Sequence, residues 1–226
     1  MVFLWIATYG LVYLLASCLP RAAHPWVVPL TMTGYAAALI GWIFHTGRSR
    51  SLGLCSIRRM SACPKVLLLM MLPVCNLLTA KTFSPDLPAV LFMLSVCAVE
   101  EIFFRGFLLR FLMQFGTLPA IVLSSGIFAA FHLVNLIGGS GCAYVWMQVL
   151  CAFTAGICYG AVAMEQESLL PCFLAHFLTN ITAAPVSAGA VPWFWLCIIA
   201  YGCFGIYLCR KFAGSTSRRI DYETVH

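Results

Sequence analysis

The chain has 226 residues, of which 62% are hydrophobic and 9% charged, a net charge of +6 and a mean hydropathy of +0.97. Soluble domains carry about a quarter of their residues as charges, so this composition excludes a soluble enzyme, and with it the soluble basic domain that a nucleic-acid module needs. No nucleic-acid partner is expected, and the placement of Lys and Arg in short loops, rather than the net +6, is the signal of membrane orientation.

Apolar runs long enough to cross about 30 Å as helices lie near Val2–Leu19, Trp26–His45, Lys65–Ala80, Pro88–Met113, Leu118–Ile137, Tyr144–Met164, Ser168–Val186 and Val191–Leu208. The predicted fold is all-α: one polytopic membrane domain over residues 1–226, a bundle of about eight transmembrane helices. Leu15-Ala16-Ser17-Cys18 resembles a lipoprotein processing box, but no basic residue precedes the apolar run, so the segment reads as the first span. Arg48, Arg50, Arg58, Arg59 and Lys65 fall in the loop 46–65, and Arg210, Lys211, Arg218 and Arg219 in the tail 210–226. Lys and Arg in short loops mark the inner side, so both segments and both termini are expected in the cytoplasm, with Arg21 and Lys81 outside.

Most of the twelve cysteines lie inside predicted spans (Cys75, Cys97, Cys151, Cys158, Cys172, Cys197 and Cys203), where they act as small hydrophobes. Cys55 and Cys63 share the cytoplasmic loop, and no C-x-x-C spacing suggests zinc. The Gly138-Gly139-Ser140-Gly141 stretch reads as a connecting turn, and Glu165 and Glu167 as solvated loop acids.

The fourth run contains Val99-Glu100-Glu101-Ile102-Phe103-Phe104-Arg105. Each charge near the centre of a bilayer costs about 2.5–3.5 kcal/mol, so these groups must face protein or a water-filled cavity, and they mark a functional site. Glu101 and Arg105, four apart, share a helix face in the favourable order for an ion pair. Glu100 points roughly 100° away and has no partner on its own helix, which suits it to proton exchange. A purely structural ion triad is the competing reading, disfavoured because buried triads stabilise no better than apolar packing. Phe128 and His132 on the fifth run, and His176 and Asn180 on the seventh, repeat the four-residue spacing, so each pair presents on one face. One carboxylate, two imidazoles and one carboxamide on spans otherwise poor in such groups point to a single convergent site.

Glu100-Glu101-x-x-x-Arg105, Phe128-x-x-x-His132 and His176-x-x-x-Asn180, in that order on separate spans, resemble the CPBP family of intramembrane proteases, which includes the CAAX prenyl endoproteases and bacteriocin-related immunity and processing proteins. The resemblance covers roughly residues 88–187. It implies a catalytic core there, in which Glu100 activates water with His132 close by and His176 and Asn180 stabilise the oxyanion, while Glu101, Arg105 and Phe128 orient them. It further implies an endopeptidase acting on a membrane-associated, lipidated or exported peptide among membrane lipids, with no cofactor, and a bacterial inner membrane as its location. Two other readings remain at this point: a zinc peptidase with His132 and His176 as ligands, for which the H-E-x-x-H helix motif is absent, and a non-enzymatic carrier or immunity protein using the buried groups as a relay.

Overall fold

The computed structural model describes residues 7–8, 10–12, 25–54, 69–79, 83–137, 140–182 and 191–213. The Leu15–Cys18 box, the basic residues Arg21, Arg58, Arg59, Lys65, Lys81, Arg218 and Arg219, the cysteines Cys55 and Cys63, and Gly138 and Gly139 lie outside the described residues.

All regular structure among the described residues is helical. In chain order the helices are α1 (Val27–His45), α2 (Met71–Thr79), α3 (Leu87–Glu101), a π-helical segment (Ile102–Leu108), α4 (Leu109–Leu112), a 3-10 turn (Met113–Phe115), α5 (Thr117–Phe131), α6 (Val134–Ile137), α7 (Cys142–Gln166), α8 (Leu170–Thr182) and α9 (Val191–Ala213). Among the described residues four stretches are long and apolar enough to cross a membrane: Val27–His45, Leu87–Phe115, Thr117–Ile137 and Cys142–Gln166. Leu170–Thr182 and Trp195–Arg210 are shorter apolar helices, so the chain is a polytopic helical membrane protein.

The start of α3 follows from its sequence. Asp86 caps it, its Oδ1 accepting from the Ala89 amide at 2.8 Å, and Pro88 occupies the first turn, where a missing N–H costs nothing. Beyond Glu101 the helix continues without a break but widens: the Leu109 amide bonds the Phe104 carbonyl, five residues back. The expectation of a regular α-helix through Arg105 is corrected here. Such π insertions re-aim side chains and recur at functional sites.

Two layers of helix contacts hold the bundle. α3 packs against α1 and α8, α7 packs against α5 and α9, and the π segment touches both α5 and α7, joining the two groups. Lipid-facing surface offers no hydrophobic gain for helix association, so close approach and buried hydrogen bonds carry the specificity. Gly156 and Gly160, four apart on α7, provide the approach: a Cβ on Gly156 would meet the Ser125 Cβ at 3.0 Å, and one on Gly160 would meet Ile121 at 3.4 Å. Polar ties connect the rest. Thr33 and Ser95 hydroxyls bond at 2.9 Å between α1 and α3, Asn76 on α2 donates to Thr182 Oγ1 on α8 at 3.2 Å, and Tyr201 on α9 donates to the Leu69 carbonyl at 2.8 Å. Two buried cysteines do more than fill space, since Cys158 Sγ donates to the Tyr201 carbonyl and Cys172 Sγ to that of Tyr159. Glu165 also departs from expectation: it belongs to α7 and is half-buried, whereas Glu167 is exposed in a left-handed turn with φ of 51°.

Gly156→Leu is expected to force α5 away from α7 and to destabilise the protein by about 1–3 kcal/mol or more, read as a lower unfolding temperature in detergent. Gly202→Ala, whose new Cβ would meet Thr154 at an ordinary 3.9 Å, is the control and should leave that temperature unchanged.

Candidate active site

The charged cluster lies near the middle of the 29-residue Leu87–Phe115 stretch and is closed over by α5, α7 and α8. Glu101 and Arg105 are buried, at 1% and 2% exposure. Arg105 Nη1 donates to Glu101 Oε1 at 2.9 Å, and His176 Nδ1 lies 2.9 Å from the same oxygen. A carboxylate only accepts, so the His176 Nδ1 carries the proton and donates. One carboxylate oxygen therefore ties α8 to the helix that carries both acids. The other oxygen, Oε2, and the Arg105 Nη2 have no hydrogen-bond partner among the described residues.

With Nδ1 committed to Glu101, the other face of His176 turns to Glu100, whose Oε2 is 3.6 Å from Nε2. That separation exceeds a hydrogen bond and lies within ion-pair reach. The Glu100 side chain is 18% exposed against 1% for Glu101, so it is the carboxylate with an open side. The close packing of Glu100, Glu101, Arg105 and His176 lets acid and base groups offset one another at one membrane-depth site.

Phe128 is the aromatic centre. Its ring meets His132 at 4.9 Å and His176 at 5.6 Å, both edge to face, and Phe104 at 5.0 Å; the Arg105 guanidinium lies over it at 4.2 Å. The π segment makes this possible by turning Phe104 toward Phe128 and Phe131 of α5. His132 stands at the end of α5, where its Nδ1 donates to the Phe128 carbonyl at 3.0 Å. That bond fixes the tautomer and leaves Nε2 as an acceptor. His132 is also within electrostatic range of Glu100, His176 and Arg105. Asn180, one turn after His176, donates from Nδ2 to the Cys97 sulfur at 3.4 Å, and Cys97 lies one turn before the two glutamates on α3.

The structure thus brings Glu100, Glu101, Arg105, Phe128, His132 and His176 into one connected group, with Asn180 joined to α3 through Cys97. The sequence leaves open which His176 nitrogen would face a substrate; in the structure Nδ1 is held by Glu101, which leaves Nε2. Sequence reading missed Cys97, Phe104 and Tyr159. Tyr159, on α7, lies under the group, its ring 6.2 Å from His176 and 5.4 Å from the Arg105 guanidinium carbon. Its one signal in the sequence is a hydroxyl-bearing ring beside two glycines four apart in an otherwise apolar run. Among the described residues no cluster of three His, Cys, Asp or Glu is arranged to hold a metal ion.

Arg105→Ala would leave Glu101 buried with only His176 to neutralise it. The expected cost is about 3–5 kcal/mol, measured as a fall in folded yield and unfolding temperature, and Arg105→Lys should recover only part of it because an ammonium cannot spread over the Phe128 face as a planar guanidinium does.

Comparison with known proteins follows the same residues. Residues 83–182 match the family model described as Type II CAAX prenyl endopeptidase Rce1-like. No curated protein and no solved structure matches the chain. The matched stretch is under half of the 226 residues, but it contains α3, the π segment, α5, α7 and α8, and so every residue of the buried charged group. Residues 83–182 of this integral membrane protein are therefore similar to the Rce1-like family of type II CAAX prenyl endopeptidases, a family of proteases.

Proposed function

We propose that the chain is an intramembrane endopeptidase that hydrolyses a peptide bond of a membrane-associated or lipidated substrate with water activated by Glu100. The observation that carries this reading is the division of labour between the two adjacent acids. Glu101 is sealed and shares one oxygen between Arg105 and His176, whereas Glu100 is partly open and faces His176 Nε2 at 3.6 Å. A proton acceptor must reach its water, and only Glu100 has the open side to do so.

In the proposed reaction Glu100 takes a proton from water as the oxygen attacks the peptide carbonyl. The second hydrogen of that water points to Nε2 of His132, an acceptor because Nδ1 donates to the Phe128 carbonyl. Negative charge then develops on the former carbonyl oxygen. Asn180 suits the donor role, since its amide rests on a thiol sulfur, a weak acceptor that it can leave without much loss. His176 donates from Nε2 while it carries both protons, held in orientation by Glu101. The proton on Glu100 passes to the leaving nitrogen as the tetrahedral intermediate collapses, and the acid returns to its starting state.

The family name supports a substrate that is itself attached to the membrane, and the depth of the site along Leu87–Phe115 supports cleavage close to the bilayer. Location in a bacterial inner membrane with both termini cytoplasmic fits the basic loop and tail of the sequence and remains part of this proposal.

Glu100→Gln, which keeps size and hydrogen bonding but cannot take up the proton, is expected to abolish hydrolysis in reconstituted vesicles. Membrane peptides that accumulate uncut in cells carrying that variant identify the substrate. Asn180→Ala should lower turnover by roughly a hundred- to a thousand-fold. The purified protein should keep its activity after dialysis against a strong chelator; loss of activity that zinc restores would replace this mechanism with one in which His132 and His176 bind metal.

A further inference from the structure

Arg105 presents an unusual balance of partners. Its Nη1 bonds Glu101, its Nη2 has no hydrogen-bond acceptor among the described residues, and the whole side chain is 2% exposed. A buried guanidinium N–H without an acceptor is costly, and the compensation at hand is aromatic. The guanidinium carbon lies over the Phe128 ring at 4.2 Å and over the Tyr159 ring at 5.4 Å. Phe128 belongs to a sequence motif of the site, whereas Tyr159 comes from α7, where no motif points to it.

Tyr159 also meets the far end of the same chain of contacts. Its ring centroid is 6.2 Å from that of His176, and it lies beside the Thr179 side chain of α8. Its backbone is held on both sides: the Cys172 thiol of α8 donates to its carbonyl at 3.2 Å, and Gly160 next to it sits close against Ile121 of α5. A single buried ring therefore touches Arg105 and His176, the two groups that share Glu101 Oε1. If Arg105 slides, Glu101 turns; if Glu101 turns, the Nε2 face of His176 leaves Glu100.

We infer that Tyr159 is a positioning residue of the hydrolytic site, whose π face holds the Arg105 guanidinium so that Glu101 keeps His176 aimed at Glu100. This rests on the proposed Glu100 mechanism. The role belongs to the ring rather than to the hydroxyl, because the contacts to Arg105 and His176 are made by the ring, and attraction between a cation and an aromatic face is strongest in a site without water. An aliphatic side chain of similar volume fills the space and supplies no negative face.

The test is a series at position 159, each member assayed for kcat and KM in vesicles and examined by NMR of 15N-histidine-labelled protein. Tyr159→Phe is expected to keep kcat within about twofold of the parent, and Tyr159→Leu to lower it roughly ten- to thirty-fold with KM unchanged. Phenylalanines carrying one, two and three ring fluorines drain the π face while keeping the shape of the ring. Across that series kcat should fall in step, and the His176 ring nitrogen resonances should move in step with it. A flat kcat and unmoved His176 resonances across the fluorinated series would overturn the inference, whether or not the leucine variant folds. Failure of the mechanism it rests on is distinguished by Glu100→Gln: if that variant still cleaves peptide, Glu100 is not the base, while the His176 resonances continue to report whether Tyr159 positions the ring.

Discussion

One oxygen atom organises this protein. Glu101 Oε1 accepts from Arg105 on its own helix and from His176 on α8, both at 2.9 Å, and all three side chains are buried. A buried pair of charges is weak evidence for stability in general, because removing two ions from water costs about what their attraction returns. Here the pair has a third member, and the consequence is geometric: the helix that carries His176 is fixed against the helix that carries both glutamates. Because His176 Nδ1 is occupied, Nε2 has one direction left to face, and Glu100 lies in it.

The rest of the bundle delivers helices to that oxygen. The small-residue seam at Gly156 and Gly160 lets α7 approach α5 closely enough for Phe128 and Tyr159 to reach the same guanidinium. Asn76 on α2 grips α8 near Thr182, two residues beyond Asn180, so the helix bearing His176 and Asn180 is held from a second side. The π segment supplies what a regular helix would not. With one extra residue in the turn after Glu101, Phe104 reaches Phe128 and Phe131 while Arg105 still returns to Glu101.

Much of this was legible from residue types alone. Charges inside an apolar run must be buried against protein, and Glu101 and Arg105 are; the motif residues four apart on separate spans are expected to converge, and Phe128, His132 and His176 lie together. The widened turn was not legible, since Ile102–Leu108 reads as ordinary apolar helix and the hydrogen-bond shift depends on what the neighbouring helices require. Tyr159 was hidden for a related reason: its importance lies in which two groups its ring touches, a property of packing between α3, α7 and α8 with no periodicity in sequence. The tie between His176 and Glu101 is not legible on the same ground. Spacing told which helix face it shares with Asn180 and could not tell which of its nitrogens another helix would claim.

The central claim is that two neighbouring glutamates, alike in sequence, have separate tasks: Glu101 holds the helices and Glu100 performs the proton transfer. The most direct measurement compares the unfolding temperatures of Glu101→Gln and Glu100→Gln in the same detergent. Glu101→Gln takes one charge out of a buried, hydrogen-bonded group and leaves Arg105 and His176 without their shared anion; it should unfold well below the parent. Glu100→Gln should unfold with the parent, since its carboxylate is the partly open one. Equal losses in the two variants, or a larger loss for Glu100→Gln, would contradict the account.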